Sequence, residues 1–269
     1  MNYLIALDLE GVGGVVGVPY EGLGKESEEW KKARAQAILE VNTVARALFD
    51  TGADRVVLWD NHGGGGNLEY DKLDSRIEVV ERVAPGRRQA FAKDIGFDAM
   101  YFLGYHAMEG TVGAVLAHTW SSKDIQYIKV NLKPVCEAEL DGYYAAEWGY
   151  SPVFFAGDDK AIMQAKEVFP EIVTVLTKEA LSRNSANLRD NDELLAEMYE
   201  AAKAAATLRP APKRLELPAV VEVRYTRMER AESRLKFLRE KGIRSFYSTD
   251  AHTLFSIVTT FEEFHDAAR

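Results

Sequence analysis

The chain opens with an apolar run, Tyr3-Leu4-Ile5-Ala6-Leu7, that halts at Asp8-Leu9-Glu10 and a glycine, and the same layout returns twice downstream. Arg55-Val56-Val57-Leu58-Trp59-Asp60 is followed by Asn61-His62 and four glycines, Gly63 to Gly66, and Ala99-Met100-Tyr101-Phe102-Leu103 leads through Gly104-Tyr105 to His106. Runs of five or six apolar residues read as strands buried on both faces, which is the pattern of a parallel sheet covered by helices. In such a sheet ligand crevices form outside the carboxyl ends of the strands. Each run here delivers an aspartate, glutamate or histidine to that edge. On a strand, Asp8 and Glu10 would project to the same side, being two residues apart. Two carboxylates held together need a cation or a shared proton to offset their repulsion. Asp8, Glu10, His62 and His106, joined by Glu137 at the start of a later helix, are candidate metal ligands.

The remaining elements alternate. Residues 27–49 form a long helix with Ala33, Ala37, Ile38, Val41, Val44, Ala45 and Leu48 on one stripe, stopped by Thr51-Gly52. A strand ending at Val80, a hairpin over 125–135, a helix over 137–148 and a strand over 152–157 follow. The dipole of the helix that Glu137 opens favours its ionised form. Asp158-Asp159 read as caps of the next helix. The alanine-rich helix at 191–207 runs into Leu208-Arg209-Pro210-Ala211-Pro212-Lys213-Arg214, a stiff polar connector. Beyond it, 215–225 reads as a strand, 231–240 as a helix, 243–247 as a strand and 254–268 as a helix. The expectation is an α/β fold: a mixed, largely parallel sheet flanked by helices in a catalytic unit over 1–207, with a second, smaller α/β domain over 215–269.

In order and spacing, Ala6-Leu7-Asp8-Leu9-Glu10-Gly11, Asp60-Asn61-His62, Leu103-Gly104-Tyr105-His106-Ala107, Pro134-Val135-Cys136-Glu137 and Ala156-Gly157-Asp158-Asp159 resemble the DppA-type D-aminopeptidases, the M55 family of zinc peptidases. The resemblance runs from the first strand to about Ser185. It implies that Asp8, Glu10, His62, His106 and Glu137 bind a pair of zinc ions, that His118 is the catalytic residue, and that the protein hydrolyses short peptides or amides with an N-terminal D-amino acid. It also implies a ring-like homo-oligomer enclosing the active sites. Gly63 to Gly66 replace a more polar stretch of the family pattern, a departure that bears on substrate preference more than on metal binding.

The residue chemistry agrees with that expectation. Zinc takes imidazole nitrogen and carboxylate oxygen, and Asp8, central in the group, is the candidate bridge between two ions. The small-residue stretch 110–117 returns the chain to His118, which can shuttle a proton or stabilise an oxyanion. Two other readings stand beside this one: another metal-dependent amidohydrolase on the same scaffold, and a non-enzymatic protein whose Gly63 to Gly66 cradle an anion, although that loop lacks the Gly-Lys-[Ser/Thr] ending of a phosphate-binding loop.

Composition narrows the partners. A net charge of −9 over 269 residues argues against nucleic acid and anionic membranes. No apolar run approaches the roughly 20 residues that span a bilayer, and the start shows no basic region leading into a signal segment, so a cytoplasmic enzyme is expected. The single cysteine, Cys136, excludes an internal disulfide framework and a cysteine zinc site; it reads as a small hydrophobe beside Glu137. His265 is expected on the surface of a terminal helix, and His252 near a helix start after Asp250.

Overall fold

The computed structural model describes residues 1–81 and 88–269. In chain order the elements are β1 (Asn2–Leu7), α1 (Glu28–Asp50), β2 (Arg55–Asp60), β3 (Ile77–Val80), α2 (Ala92–Ile95), β4 (Ala99–Leu103), β5 (Ile125–Val130), β6 (Lys133–Pro134), α3 (Glu137–Glu147), β7 (Pro152–Asp158), α4 (Asp159–Val168), β8 (Val173–Ser182), β9 (Ser185–Leu188), α5 (Asn191–Ala205), β10 (Ala219–Tyr225), α6 (Met228–Glu240), β11 (Arg244–Tyr247), β12 (Thr253–Val258) and α7 (Phe261–Ala267). Seven strands form one sheet in the order β3-β2-β1-β4-β7-β8-β9, parallel throughout except for the antiparallel pair β8 and β9.

Strand alternation sorts β1 into two cores. Tyr3, Ile5 and Leu7 pack with Val41, Val44 and Leu48 of α1 and with Leu194 and Met198 of α5. Leu4 and Ala6 face the other way, into a core with Trp59, Phe102, Phe155 and Ala161. Helices therefore cover both faces, as the continuous apolar strands require. Ser27 caps α1, its hydroxyl accepting from the Trp30 amide at 3.1 Å, a contact worth about 1 kcal/mol.

The second sheet, β11-β12-β10-β5-β6, is antiparallel. It draws β5 and β6 from upstream of the 208–214 connector, so this sheet uses chain on both sides of it. Its apolar face packs on Leu235 and Leu238 of α6, Phe264 of α7, and Leu140 and Tyr144 of α3. Since Ala138 and Ala145 of α3 belong to the core of the first sheet, α3 is wedged between the two sheets, with Glu137 at its amino end.

Part of the C-terminal reading is corrected. The segment 254–268 is not one helix: Thr253–Val258 is β12, paired with both β10 and β11, and α7 starts only at Phe261. Thr260 and Glu263 form a capping box that marks the true start. His252 therefore precedes a strand, and Asp250 holds a turn by accepting from the His252 and Thr253 amides. His265 is buried against the Tyr144 ring, not displayed on the surface.

Candidate metal centre

β1 lies between β2 and β4, where the strand order reverses direction, and the loops leaving these three strands meet at one edge. Strand β1 itself ends at Leu7. Asp8 and Glu10 lie in the turn beyond it, so the turn, not strand alternation, aims both carboxylates. Two close backbone crossings hold that turn against the loop after β4: the Asp8 amide donates to the Leu103 carbonyl at 2.8 Å, and the Gly11 amide to the Gly104 carbonyl at 2.7 Å. A Cβ on Gly11 would lie 2.0 Å from the Tyr105 carbonyl oxygen, and one on Gly104, whose φ is +69°, would lie 2.0 Å from that of Asp8. Only glycine at both positions lets the loops approach this closely.

The crossing brings the candidate ligands together. His106 Nε2 lies 3.4 Å from Asp8 Oδ2 and 3.4 Å from Glu137 Oε1. His62 Nε2 lies 3.3 Å from Glu10 Oε1, and His118 Nε2 lies 3.7 Å from Glu137 Oε1. The rings of His106 and His118 stack with centroids 4.0 Å apart. Asp8, Glu10 and His106 can present ligand atoms within 4.8 Å of one another, as can His106, His118 and Glu137. His106 is common to both groups, and His118 sits at ligand distance beside it.

Each imidazole is oriented from behind. His106 Nδ1 faces the Ala107 carbonyl at 3.0 Å, His118 Nδ1 the Leu116 carbonyl at 2.9 Å, and His62 Nδ1 the Asn67 side-chain oxygen at 3.3 Å. A carbonyl accepts only from a protonated Nδ1, so Nε2 is the nitrogen that faces the carboxylates and offers its lone pair to a metal once its proton is displaced. Metal-binding histidines are fixed in this way. Asn67 is in turn held by Asp60, which accepts from its backbone and side-chain amides. His106 Nε2 and Glu10 Oε2 are buried without a hydrogen-bond partner. Buried polar atoms normally find partners; here two orphans of complementary type point into a cluster of hard and borderline donors, and the set fits zinc.

The electrostatics show the same demand for a cation. Burial, together with the Glu10 charge, raises the Asp8 carboxyl to about 7. Burial also acts to raise Glu10, but the His62 imidazole outweighs it and holds Glu10 well below the usual carboxylate range. Glu137, desolvated but facing His106, is held at about 2. For His62, burial acts to lower the pKa, and the Glu10 carboxylate overrides it to about 10. His118 is lowered by burial and by the neighbouring His106 charge, leaving a neutral imidazole at the edge of the cluster.

A cleft of about 520 Å³ opens onto these residues, lined by Asp8, Glu10, His62, His118 and Glu137, with Gly63 and Gly64 forming a wall without side chains. Such a volume suits a short peptide. Arg88 completes another wall. Its guanidinium lies between Trp59 and Trp120, 4.8 and 3.9 Å from the ring centroids, and grips Asp141 at both oxygens. Asp141 also accepts from the Tyr105 hydroxyl. The sequence carried no signal for this pair, whose members are 53 residues apart. The Asp60–Asn67 support of His62 was within reach, since both flank it at short range. Cys136 is buried, its thiol pushed up to about 12 by desolvation, and its sulfur caps α3 by accepting from the Glu139 amide. It is no thiolate nucleophile. Asp158 caps α4 at Ala161 and also accepts from the Val115 amide, which ties down the loop leading to His118.

A family model described as Peptidase M55, D-aminopeptidase, matches residues 1–253. The D-aminopeptidase of Bacillus subtilis (strain 168) is 28% identical over 185 residues, 69% of this chain and 66% of the relative, so the alignment spans just under two thirds of that protein's length. Among solved structures, the Zn-dependent D-aminopeptidase DppA from Bacillus subtilis, a self-compartmentalizing protease, superposes with a TM-score of 0.87 at 21% identity, covering 99% of this chain and 95% of that one. That likeness shows a shared α/β fold. The chain belongs to the M55 peptidase family of D-aminopeptidases.

Proposed function

We propose that the protein is a zinc-dependent aminopeptidase that hydrolyses short peptides or amides bearing an N-terminal D-amino acid, with two zinc ions held by Asp8, Glu10, His62, His106 and Glu137. The observation that carries the reading is the pair of orphaned buried atoms, His106 Nε2 and Glu10 Oε2, inside a cluster whose imidazoles all direct Nε2 inward. Zinc bound there would polarise the scissile carbonyl and lower the pKa of a water molecule. Asp8 would be the ligand shared by the two ions: its Oδ2 faces His106 while its Oδ1 is steadied by the Leu9 amide. His118, neutral near pH 7 and steadied through Nδ1, takes the proton of the attacking water and passes it to the leaving amine nitrogen as the C–N bond breaks. Glu137 is kept ionised by His106 and accepts from the Trp120 amide, which fixes the carboxylate that both His106 and His118 face.

The preference for D-amino acids is supported by family membership, not by any contact in the cleft. The related DppA is described as self-compartmentalizing, and we extend a ring-like homo-oligomer to this chain, working in the cytoplasm. No helix among the described residues is long and apolar enough to cross a membrane. Against the anion-cradle reading, the Gly65 amide is already committed to the His62 carbonyl at 3.0 Å. The test is hydrolysis of matched D- and L-aminoacyl amides alongside zinc analysis. Cleavage of the D series by protein holding about two zinc ions per chain is expected; equal cleavage of both series, or activity without metal, would overturn the reading.

A further inference from the structure

The turn carrying Asp8 and Glu10 leaves the sheet, and its carbonyls are buried where no strand can pair with them. Three successive ones, of Glu10, Gly11 and Val12, are nevertheless all satisfied from β8. Lys178 Nζ donates to the Glu10 carbonyl at 2.8 Å and the Val12 carbonyl at 2.6 Å, and the Thr177 hydroxyl donates to the Gly11 carbonyl at 2.6 Å. From the opposite side, Glu40 of α1 accepts from the Gly13 amide at 2.8 Å. Consecutive residues on a regular strand point to opposite faces, so Thr177 and Lys178 should not both reach one turn. The register explains how they do. Leu176 pairs with Gly157 and Lys178 with Asp158, which leaves Thr177 as an extra residue in β8. A bulge of this kind re-aims side chains, and bulges are over-represented beside active sites.

Lys178 is completely buried, and among the described residues no carboxylate lies within ion-pair distance of its ammonium. A charge placed in the interior without a paired countercharge weakens the fold more than an apolar residue of the same length would. Its contacts serve the turn instead, since both of its bonds flank the Glu10–Val12 segment. Glu10 has only the His62 contact at one oxygen and nothing at the other, so the aim of its carboxylate depends on the backbone that Lys178 holds.

Building on the zinc reading above, we infer that Thr177 and Lys178, brought to one side by the β8 bulge, are positioning residues for the zinc that Glu10 would bind, and act only weakly on zinc bound through Glu137. The clamp fixes where Glu10 points; neither residue touches substrate.

The experiment compares wild type, Lys178→Met and Thr177→Val by zinc content after dialysis, by competitive zinc titration against a chromogenic chelator, and by melting of the metal-free proteins. Wild type is expected to hold two zinc ions. Lys178→Met should leave one zinc at wild-type affinity and bind the other at least about tenfold less well; because it exchanges a buried charge for two unsatisfied carbonyls, the melting curves set a temperature at which both metal-free proteins are folded for the comparison. Excess zinc should restore turnover with KM unchanged. Thr177→Val, which removes one hydroxyl and keeps the side-chain shape, should weaken the same zinc by a smaller factor, and it carries the test if Lys178→Met does not fold. Two zinc ions at wild-type affinity in both variants would overturn the clamp while leaving the zinc reading intact. A wild-type protein that binds no zinc would overturn both.

Discussion

At the level of single residues, three imidazoles show how the centre is prepared. Without metal, Glu10 holds His62 protonated up to about pH 10, His106 is raised well above its ordinary value despite its burial by Asp8 and Glu137, and Asp8 titrates near 7. Zinc takes neutral imidazole and ionised carboxylate, so loading must expel these protons. At pH 7, calorimetric titration in buffers of different ionisation enthalpy should report roughly two to three protons released per fully loaded chain. Zinc affinity should rise with pH between 6 and 8, since both histidine shifts are upward and protons compete throughout that window. An affinity independent of pH would contradict the ligand assignment. His118 behaves oppositely, being lowered. His118→Ala should keep its zinc and its KM yet lose on the order of 10²–10⁴ in kcat, the usual contribution of a positioned acid or base. Because its Nε2 stands 3.7 Å from Glu137, loss of zinc in this variant would make it a ligand instead. That Asp8, Glu10, His62, His106 and Glu137 come together was legible in the sequence, because each follows an apolar run or opens a helix, whereas His118 was marked by the family resemblance and the small-residue stretch before it. Lys178 and Thr177 were not: their partners lie 166 to 168 residues away, and nothing in a strand sequence announces a bulge.

At the level of elements, the site depends on two loops crossing at contact distance. Gly104→Ala would place a methyl group 2.0 Å from the Asp8 carbonyl oxygen at a φ of +69°. The loops after β1 and β4 would have to separate, parting Asp8 from His106. The variant should lose zinc affinity by more than tenfold and stability by about 1–3 kcal/mol, measured by chelator competition and by denaturant unfolding. Zinc binding unchanged in a destabilised protein would show that the crossing serves the fold alone. The parallel strands were readable because they are continuously apolar. β12 was missed because Thr253–Val258 runs almost directly into α7 and alternates too little to distinguish a strand from a helix; its β-branched residues and the Thr260-x-x-Glu263 box were the available signals. His265 was misplaced for a related reason, since a helix face that packs against Tyr144 of another element is not marked in the local sequence.

For the whole molecule, the two sheets share chain and core. The second sheet contains β5 and β6, and α3 contributes Leu140 and Tyr144 to its apolar face. The connector at 208–214, which composition marks so clearly, therefore separates segments of sequence more than cooperative units. A fragment of residues 215–269 would retain only β11, β12 and β10 and leave one face of β10 and the edge toward β5 uncovered. It is expected to be unfolded by circular dichroism and amide exchange, and the intact chain to unfold in a single transition. A folded fragment would contradict this coupling. Glu137 gains from the arrangement, because the helix that carries it is anchored in both cores.

The most direct test of the central claim is the zinc content of wild type and Asp8→Ala after exhaustive dialysis. Asp8 lies at the sheet edge, faces His106 and is the proposed bridge between the ions. Wild type should hold about two zinc ions per chain and cleave a D-aminoacyl amide, whereas Asp8→Ala should hold none and cleave nothing while keeping a native circular dichroism spectrum. Two zinc ions retained by Asp8→Ala would contradict the account.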